Sequence, residues 1–473
     1  MHKIAGKSWS EKIFKAYDIR GAYPAEINED AVYKIARAFV RYLRLGSLAR
    51  RSFSEGGAEG RSLKIVVSSD ARPSSPALKE AFMDGLIDEG AEIIDAGLTT
   101  TPMHYFTVNV AGADGGAMIT ASHNPAEFNG IKLSKKGALP IGEGAGMEEI
   151  KNDAVRGIFA SSSGDNSKKG SVSKYDFTEK YIYFLFEHFP LLPESAVSLS
   201  ADASNGMASI LLEKLFARFP KMKVGYLHGE LDMTFPNHEA NPLKAENLKD
   251  VQAEVLKNKS AIGISFDGDG DRVGFVDENG KIIPGDIVTA LLVRYFAKTK
   301  GEAVVYDLRS SRVVREEIEK AGLRPVESRV GHAFIKATMR KENAVLGGEV
   351  SGHYYFRDFF YCDSAVFAAL AVLDLMRIEK KPLSGLIKPL LKYVKSEEIN
   401  FAVKNKELIL DKVAAYFPDA KISYLDGIKV EYPHWWFNLR ISNTEDVVRL
   451  NIEAILPELL DEKKKLISEL LAE

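Results

Sequence analysis

At 473 residues the chain is too long for one hydrophobic core and should divide into three or four domains of about 100–150 residues. Its 63 Lys and Arg against 66 Asp and Glu leave a net charge of −3, which gives no general basic field and argues against nucleic acid as the main partner. The single cysteine, Cys362, excludes an internal disulfide and a cysteine-based zinc site, and fits a reducing compartment. The start of the chain lacks an apolar signal core, and no run reaches about 18 uninterrupted apolar residues, so no membrane partner and a cytoplasmic location are expected.

In chain order, the polar run 50–60 reads as a long surface loop without an assigned role. The apolar run 64–67, a loop, and the helical spacing of 77–83 together read as a βα unit. The pattern returns at 197–202 with 210–216, and at 303–307 with 313–318, which implies three α/β layers in series. Between the first two, the Ser/Gly/Lys-rich run 160–170 has too little apolar content to pack and reads as an exposed connection. Alternation after Lys395 and a Trp/Phe-rich strand before Arg440 predict a smaller α+β domain at the end.

Four motifs carry chemistry. Thr120-Ala121-Ser122-His123-Asn124-Pro125 follows the apolar run 117–119, and its turn-forming residues put Ser122 on a tight loop after a strand, where a hydroxyl could carry a phosphoryl group. Phe266-Asp267-Gly268-Asp269-Gly270-Asp271-Arg272 lies between the apolar runs 261–264 and 273–276. Carboxylates two residues apart with glycines between can converge on one hard cation, and Mg²⁺ leaves positions open for phosphate oxygens. A calcium loop of EF-hand type is the alternative, since Glu278 falls at its twelfth position. Arg272 stands where that loop wants Gly, however, and the flanks are β-like. In Gly347-Gly348-Glu349-Val350-Ser351-Gly352-His353 a carboxylate, a hydroxyl and an imidazole alternate, either to bind adjacent sugar hydroxyls or as a polar surface turn. Arg440-Ile441-Ser442-Asn443-Thr444-Glu445 sets an arginine fork beside small donors on one loop, suited to a phosphate dianion or simply solvated.

These four motifs, in this order, resemble the α-D-phosphohexomutase superfamily, in particular its phosphomannomutase/phosphoglucomutase branch. The resemblance extends over almost the whole chain. It takes in Lys15-Ala16-Tyr17-Asp18-Ile19-Arg20-Gly21, residues 69–75, Asp202-Ala203-Ser204-Asn205-Gly206, Phe235-Pro236-Asn237-His238 and Val330-Gly331-His332. It implies an α/β fold of three consecutive α/β domains with mixed sheets and a smaller α+β C-terminal domain around a central cleft. The expected domains are 1–158, 172–280, 281–390 and 391–473, each contributing one loop. Asp446 departs from the proline common at that position and bears on loop stiffness rather than chemistry.

The resemblance further implies a mutase that interconverts hexose 6-phosphate and hexose 1-phosphate, with hexose phosphates as its partners. Phospho-Ser122 would give its phosphoryl to the sugar, forming a 1,6-bisphosphate, and the other phosphate would return to Ser122. Asp267, Asp269 and Asp271, with an oxygen on Ser122, would hold one Mg²⁺ per chain, and glucose 1,6-bisphosphate or a similar compound would serve as activator. Arg20, Lys132 and His123 would stand by the phosphoserine, the first two supplying positive charge and assisting proton transfer. Glu349, Ser351, His332 and His353 would meet the sugar, and Arg440, Ser442, Asn443 and Thr444 the idle phosphate. The Glu349 and His332 loops favour mannose or glucose over glucosamine, with a phosphoglucosamine mutase as runner-up. A noncatalytic sugar-phosphate binder or a calcium-stabilised scaffold would need no donor serine and metal together. A monomer or a homodimer is expected.

Overall fold

The computed structural model describes residues 8–51, 62–159, 169–403, 405–442 and 447–472. Most of the expected 50–60 loop and of the 160–170 connection therefore lies outside the described residues. The chain divides into two compact units, Met1–Ile282 with Asp358–Ile378, and Ile283–Arg357 with Glu379–Glu473.

The first unit opens with a mixed sheet whose strands run in the order Ile19–Ala22, Phe128–Lys135, Gly115–Ile119, Lys64–Ser69, Glu92–Leu98, Ser171–Lys174. The three strands from Gly115–Ile119 to Glu92–Leu98 are parallel, and Phe128–Lys135 turns back antiparallel on both of its neighbours. Both faces are covered, as a parallel sheet requires. Alternate residues Ile65, Val67, Ile119 and Ile131 are wholly buried with Ile35, Phe39 and Phe82 of the helices Glu29–Arg51 and Ser75–Asp88. Each such aliphatic side chain contributes about 1.5–3 kcal/mol on burial. Ser171–Lys174 pairs parallel to Glu92–Leu98, so the chain rejoins the first sheet just past the expected connection.

A second sheet in the same unit includes, in order, Val273–Asp277, Ile262–Phe266, Ser198–Asp202 and Lys223–Leu227. Ile262–Phe266 is parallel to Ser198–Asp202 and antiparallel to Val273–Asp277, so the aspartate loop is the turn of a hairpin. The helix expected over 210–216 is instead a 3-10 turn, Met207–Ile210, and a short helix, Leu212–Phe216.

In the second unit a sheet includes Arg324–Ser328, Ala303–Asp307, Leu346–Gly348 and Tyr354–Phe356, with the Glu349–His353 turn joining the last two. A further, antiparallel sheet includes Val448–Ala454, Trp435–Ile441, Ile428–Tyr432 and Lys421–Ser423. Two helices, Lys406–Tyr416 and Pro457–Ala472, cover it over a core of Val430, Phe437, Leu450 and Ile467. That is the α+β arrangement expected of the C-terminal segment. No described helix is long and apolar enough to cross a membrane.

Candidate active site

Ser122 lies on the loop beyond the carboxyl end of the strand Gly115–Ile119, where open α/β sheets present their ligand sites. Its φ of 53° puts a non-glycine residue in the left-handed region, and such strain persists only when the surroundings over-determine it. They do so through Arg72, which is wholly buried. Its guanidinium donates to the carbonyls of Ser122 (2.8 Å), Asn124 (2.6 Å), Pro125 (2.6 Å) and Phe128 (3.0 Å), and its Nε to Asp70 at 3.2 Å. The ring of Phe235 closes over this guanidinium, 5.4 Å from its centroid. Arg20 adds Nη1 bonds to Ala121 O (3.2 Å) and Asn124 Oδ1 (2.7 Å) while pairing with Asp18. The ordinary ion pair and the site position thus coexist in Arg20.

The aspartate loop meets the serine directly. Ser122 Oγ donates to Asp267 Oδ2 at 3.0 Å and lies 3.3 Å from His123 Nδ1. A Cβ on Gly268 would fall 2.4 Å from the Ser122 carbonyl oxygen, so only glycine admits this approach. Asp267, Asp269 and Asp271 are all buried, each with a carboxylate oxygen within 4.8 Å of the others'. Asp267 Oδ1 accepts from the backbone N–H groups of Asp271 (3.0 Å) and Arg272 (3.2 Å), which fixes the turn. Strands on either side, rather than helices, rule out an EF-hand.

Lys132 is buried, and its ammonium donates to Asp269 Oδ2 at 2.7 Å and to Asp271 Oδ2. Burial opposes that charge, yet Asp269 and Asp271 outweigh it and hold the Lys132 pKa above the ordinary lysine value. Burial and then Asp271 and Asp269 push the Asp267 carboxyl well above the usual carboxylate range, the mark of a site short of positive charge. Asp269 Oδ1 is buried and makes no hydrogen bond. A divalent cation fits this donor set on both counts. His123 is pressed the other way: burial, then Arg272 and Arg20, hold its imidazole neutral.

In the second unit, Glu349, Ser351 and His353 do come together. Ser351 Oγ lies 3.2 Å from Glu349 Oε2 and 3.0 Å from His353 Nδ1, and the Tyr355 hydroxyl donates to Glu349 Oε1. The His332 ring, at the start of the helix His332–Glu342, is 6.4 Å from that of His353. Arg440 is not on a loop, as the motif implied, but within the strand Trp435–Ile441, opposite Arg449. Ser442 follows the strand end, and Asn443 and Thr444 lie outside the described residues.

The sequence reading missed several contributors. Thr101 Oγ1 donates to Asp269 Oδ2 at 2.6 Å, and its N–H to Asp269 O at 2.8 Å. Glu398 gathers three guanidiniums: Arg449 at 3.1 Å, Arg440 at 3.2 Å and Arg309 at 3.6 Å. Arg72 lies inside the segment 69–75 that carries part of the family resemblance, but no local signal gives its role; Thr101 and Glu398 have no signal at all.

Four family models match the chain in order. They are described as "Phosphoglucomutase/phosphomannomutase, alpha/beta/alpha domain I" over residues 11–159, domain II over 179–280, domain III over 284–393, and the C-terminal domain over 398–467. A Vibrio cholerae protein named phosphomannomutase is 38% identical over 97% of this chain and 98% of its own. One of the same name from Methanocaldococcus jannaschii is 37% identical over 97% of both chains. The solved structure of a phosphoglucomutase/phosphomannomutase family protein from Burkholderia thailandensis superposes with a TM-score of 0.87 at 31% identity, covering 98% of each chain.

Proposed function

Since the chain belongs to the phosphoglucomutase/phosphomannomutase family and is a phosphohexomutase, we propose that it interconverts the 6- and 1-phosphates of mannose, glucose or both, by way of phospho-Ser122 and a sugar 1,6-bisphosphate. The observation that carries this reading is the buried contact of Ser122 Oγ with Asp267, beside the ammonium of Lys132. A hydroxyl oxygen of the bound sugar phosphate bonds to phosphorus as the Ser122 Oγ–P bond breaks. The hydroxyl proton leaves to a nearby base, and neutral His123, 3.3 Å from Ser122 Oγ, is one acceptor within reach. The bisphosphate turns over, and its other phosphoryl group returns to Ser122 to release the isomeric monophosphate.

Arg20 and Lys132 bring positive charge to the transferring group. Asp267, Asp269, Asp271 and an oxygen on Ser122 would hold one Mg²⁺, which when bound offsets negative charge on the transferring phosphoryl group. Glu349 and Ser351 meet the sugar hydroxyls, with His332 and His353 beside them. Arg440 and Ser442, with Asn443 and Thr444, take the phosphate that is not reacting, where Arg309 and Arg449 add charge. Glucose 1,6-bisphosphate would recharge a dephosphorylated Ser122. Domains at 1–158, 172–280, 281–390 and 391–473, and a cytoplasmic setting, belong to the same reading; four sheets in sequence support the division into four, with the strand Ser171–Lys174 joining the first sheet across the first boundary.

Phosphorus NMR of mannose, glucose and glucosamine 6-phosphates, each with Mg²⁺ and a trace of glucose 1,6-bisphosphate, tests it. Conversion of the first two is expected, and preference for glucosamine 6-phosphate would reassign the substrate. Ser122→Ala should bind sugar phosphate without turnover. Full activity in that variant would overturn the phosphoserine route.

A further inference from the structure

One cluster of metal-ligating side chains in the first unit has no part in the phosphoryl transfer. Asp202 ends the strand Ser198–Asp202 and is wholly buried. His238 Nε2 lies 3.0 Å from Asp202 Oδ2, and its Nδ1 lies 2.9 Å from the carbonyl oxygen of Glu239. His228 stands beside it, with ring centroids 5.1 Å apart, and its Nε2 lies 3.0 Å from Asp250 Oδ2. One ligand atom from each of Asp202, His228 and His238 lies within 4.8 Å of the other two.

We propose that Asp202, His228 and His238 form a second cation site, one that takes a borderline transition-metal ion such as Zn²⁺ or Co²⁺. Two imidazoles and a carboxylate suit those ions, whereas Mg²⁺ takes oxygen ligands. Each imidazole has an oxygen acceptor on one of its nitrogens, Glu239 O for His238 and Asp250 for His228. Such outer contacts fix the tautomer and orientation of ligating histidines. The ligand atoms would draw in by less than about 1.5 Å to reach the spacing of tetrahedral zinc, whose bonds are about 2.0–2.1 Å. On binding, the proton shared between His238 Nε2 and Asp202 leaves to solvent and the metal takes its place.

The rival is a plain ion pair. Burial lowers the His238 pKa, but the bonds to Asp202 and Glu239 outweigh it and keep the imidazole more basic than usual. A protonated His238 would stabilise Asp202 without any metal. The cluster also bears on the catalytic loop, because Ser204 Oγ donates to Phe266 O at 2.7 Å and the Met207 N–H to Gly268 O at 2.8 Å. A metal here would therefore brace the aspartate hairpin from behind.

The test titrates Co²⁺ into the full chain, stripped with chelator and held in excess Mg²⁺ so that the Asp267 cluster is occupied. Visible d–d absorption of a nitrogen-containing site should saturate at about one equivalent. His228→Gln and His238→Gln should each weaken binding by more than about 100-fold, since loss of an outer-shell partner alone costs about 10–100-fold. Asp250→Asn should weaken it by about tenfold, and Asp269→Asn should leave it unchanged. If His238→Gln fails to fold, His228→Gln decides, because its ring is partly exposed. No absorption in the parent protein, or absorption surviving in the histidine variants, overturns the site.

Discussion

Arg72→Lys isolates the part of the site that is held by main chain. Arg72, itself without exposure, makes four bonds to backbone carbonyls of the 122–128 loop and one to Asp70. A lysine keeps the charge opposite Asp70 but brings one nitrogen where the guanidinium brought three. At least two of the carbonyl bonds must go. Hydrogen bonds to a charged group contribute about 1.5–3 kcal/mol each, so the loop should lose about 3–6 kcal/mol, and relaxation brings that nearer 3. Because the chain has more than one unit, a single unfolding midpoint would blur the effect. Hydrogen exchange reads it locally: the N–H groups of Ser122, Asn124 and Phe128 are all bonded in the native loop. A loss of about 3 kcal/mol should speed their exchange by about 150-fold, with the strand Trp435–Ile441 of the other unit unchanged. Turnover should fall mainly in kcat. Acceleration below about tenfold with normal turnover would refute the assignment of Arg72 as the staple of the serine loop.

Gly268→Ala places a methyl 2.4 Å from the Ser122 carbonyl oxygen, so the two loops must part by about 1 Å, and kcat should drop by about 100-fold in steady-state assays; a change under threefold or so would show that the loops can yield. Lys132→Met removes the ammonium from among buried carboxylates, a loss of about 3–5 kcal/mol, so thermal unfolding with and without chelator should show a larger Mg²⁺ stabilisation than in the parent, and equal shifts would contradict it. Glu398, though burial pushes its pKa up, is held below the ordinary 4.5 by Arg309 and Arg440. Its contribution is therefore complete above that value and is lost as pH falls through the depressed one. Urea titrations of Glu398→Gln against the parent should show a stability gap at pH 7 that closes in acid, and a gap constant with pH would exclude the carboxylate as its source.

What could be read in the sequence was what lies close together along the chain. Ser122 and the three aspartates sit in short, turn-rich segments between apolar runs, and the structure places both on loops at strand ends. Their partners are far away in sequence: Arg72 binds across 50 residues, Glu398 meets Arg440 across 42, and Thr101 reaches Asp269 across 168. No periodicity encodes such contacts. Arg440 reads as a loop residue because small polar residues follow it, but the alternation of Trp435 to Ile441 carries the strand past it, and pairing with Val448–Ala454 settles the matter. Helical spacing over 210–216 missed a break at Leu211, whose φ of −114° interrupts the regular turn.

The Ser122 loop owes its shape to carbonyl groups, and every amino acid carries one. Arg72 and Gly268 address the main chain of residue 122, so these two contacts do not depend on which side chain it carries. The hydroxyl is thus a replaceable fitting in a permanent socket. On the proposed phosphoserine route, gain and loss of the phosphoryl group would leave these main-chain contacts in place, and the side chain at 122 can be exchanged without removing them.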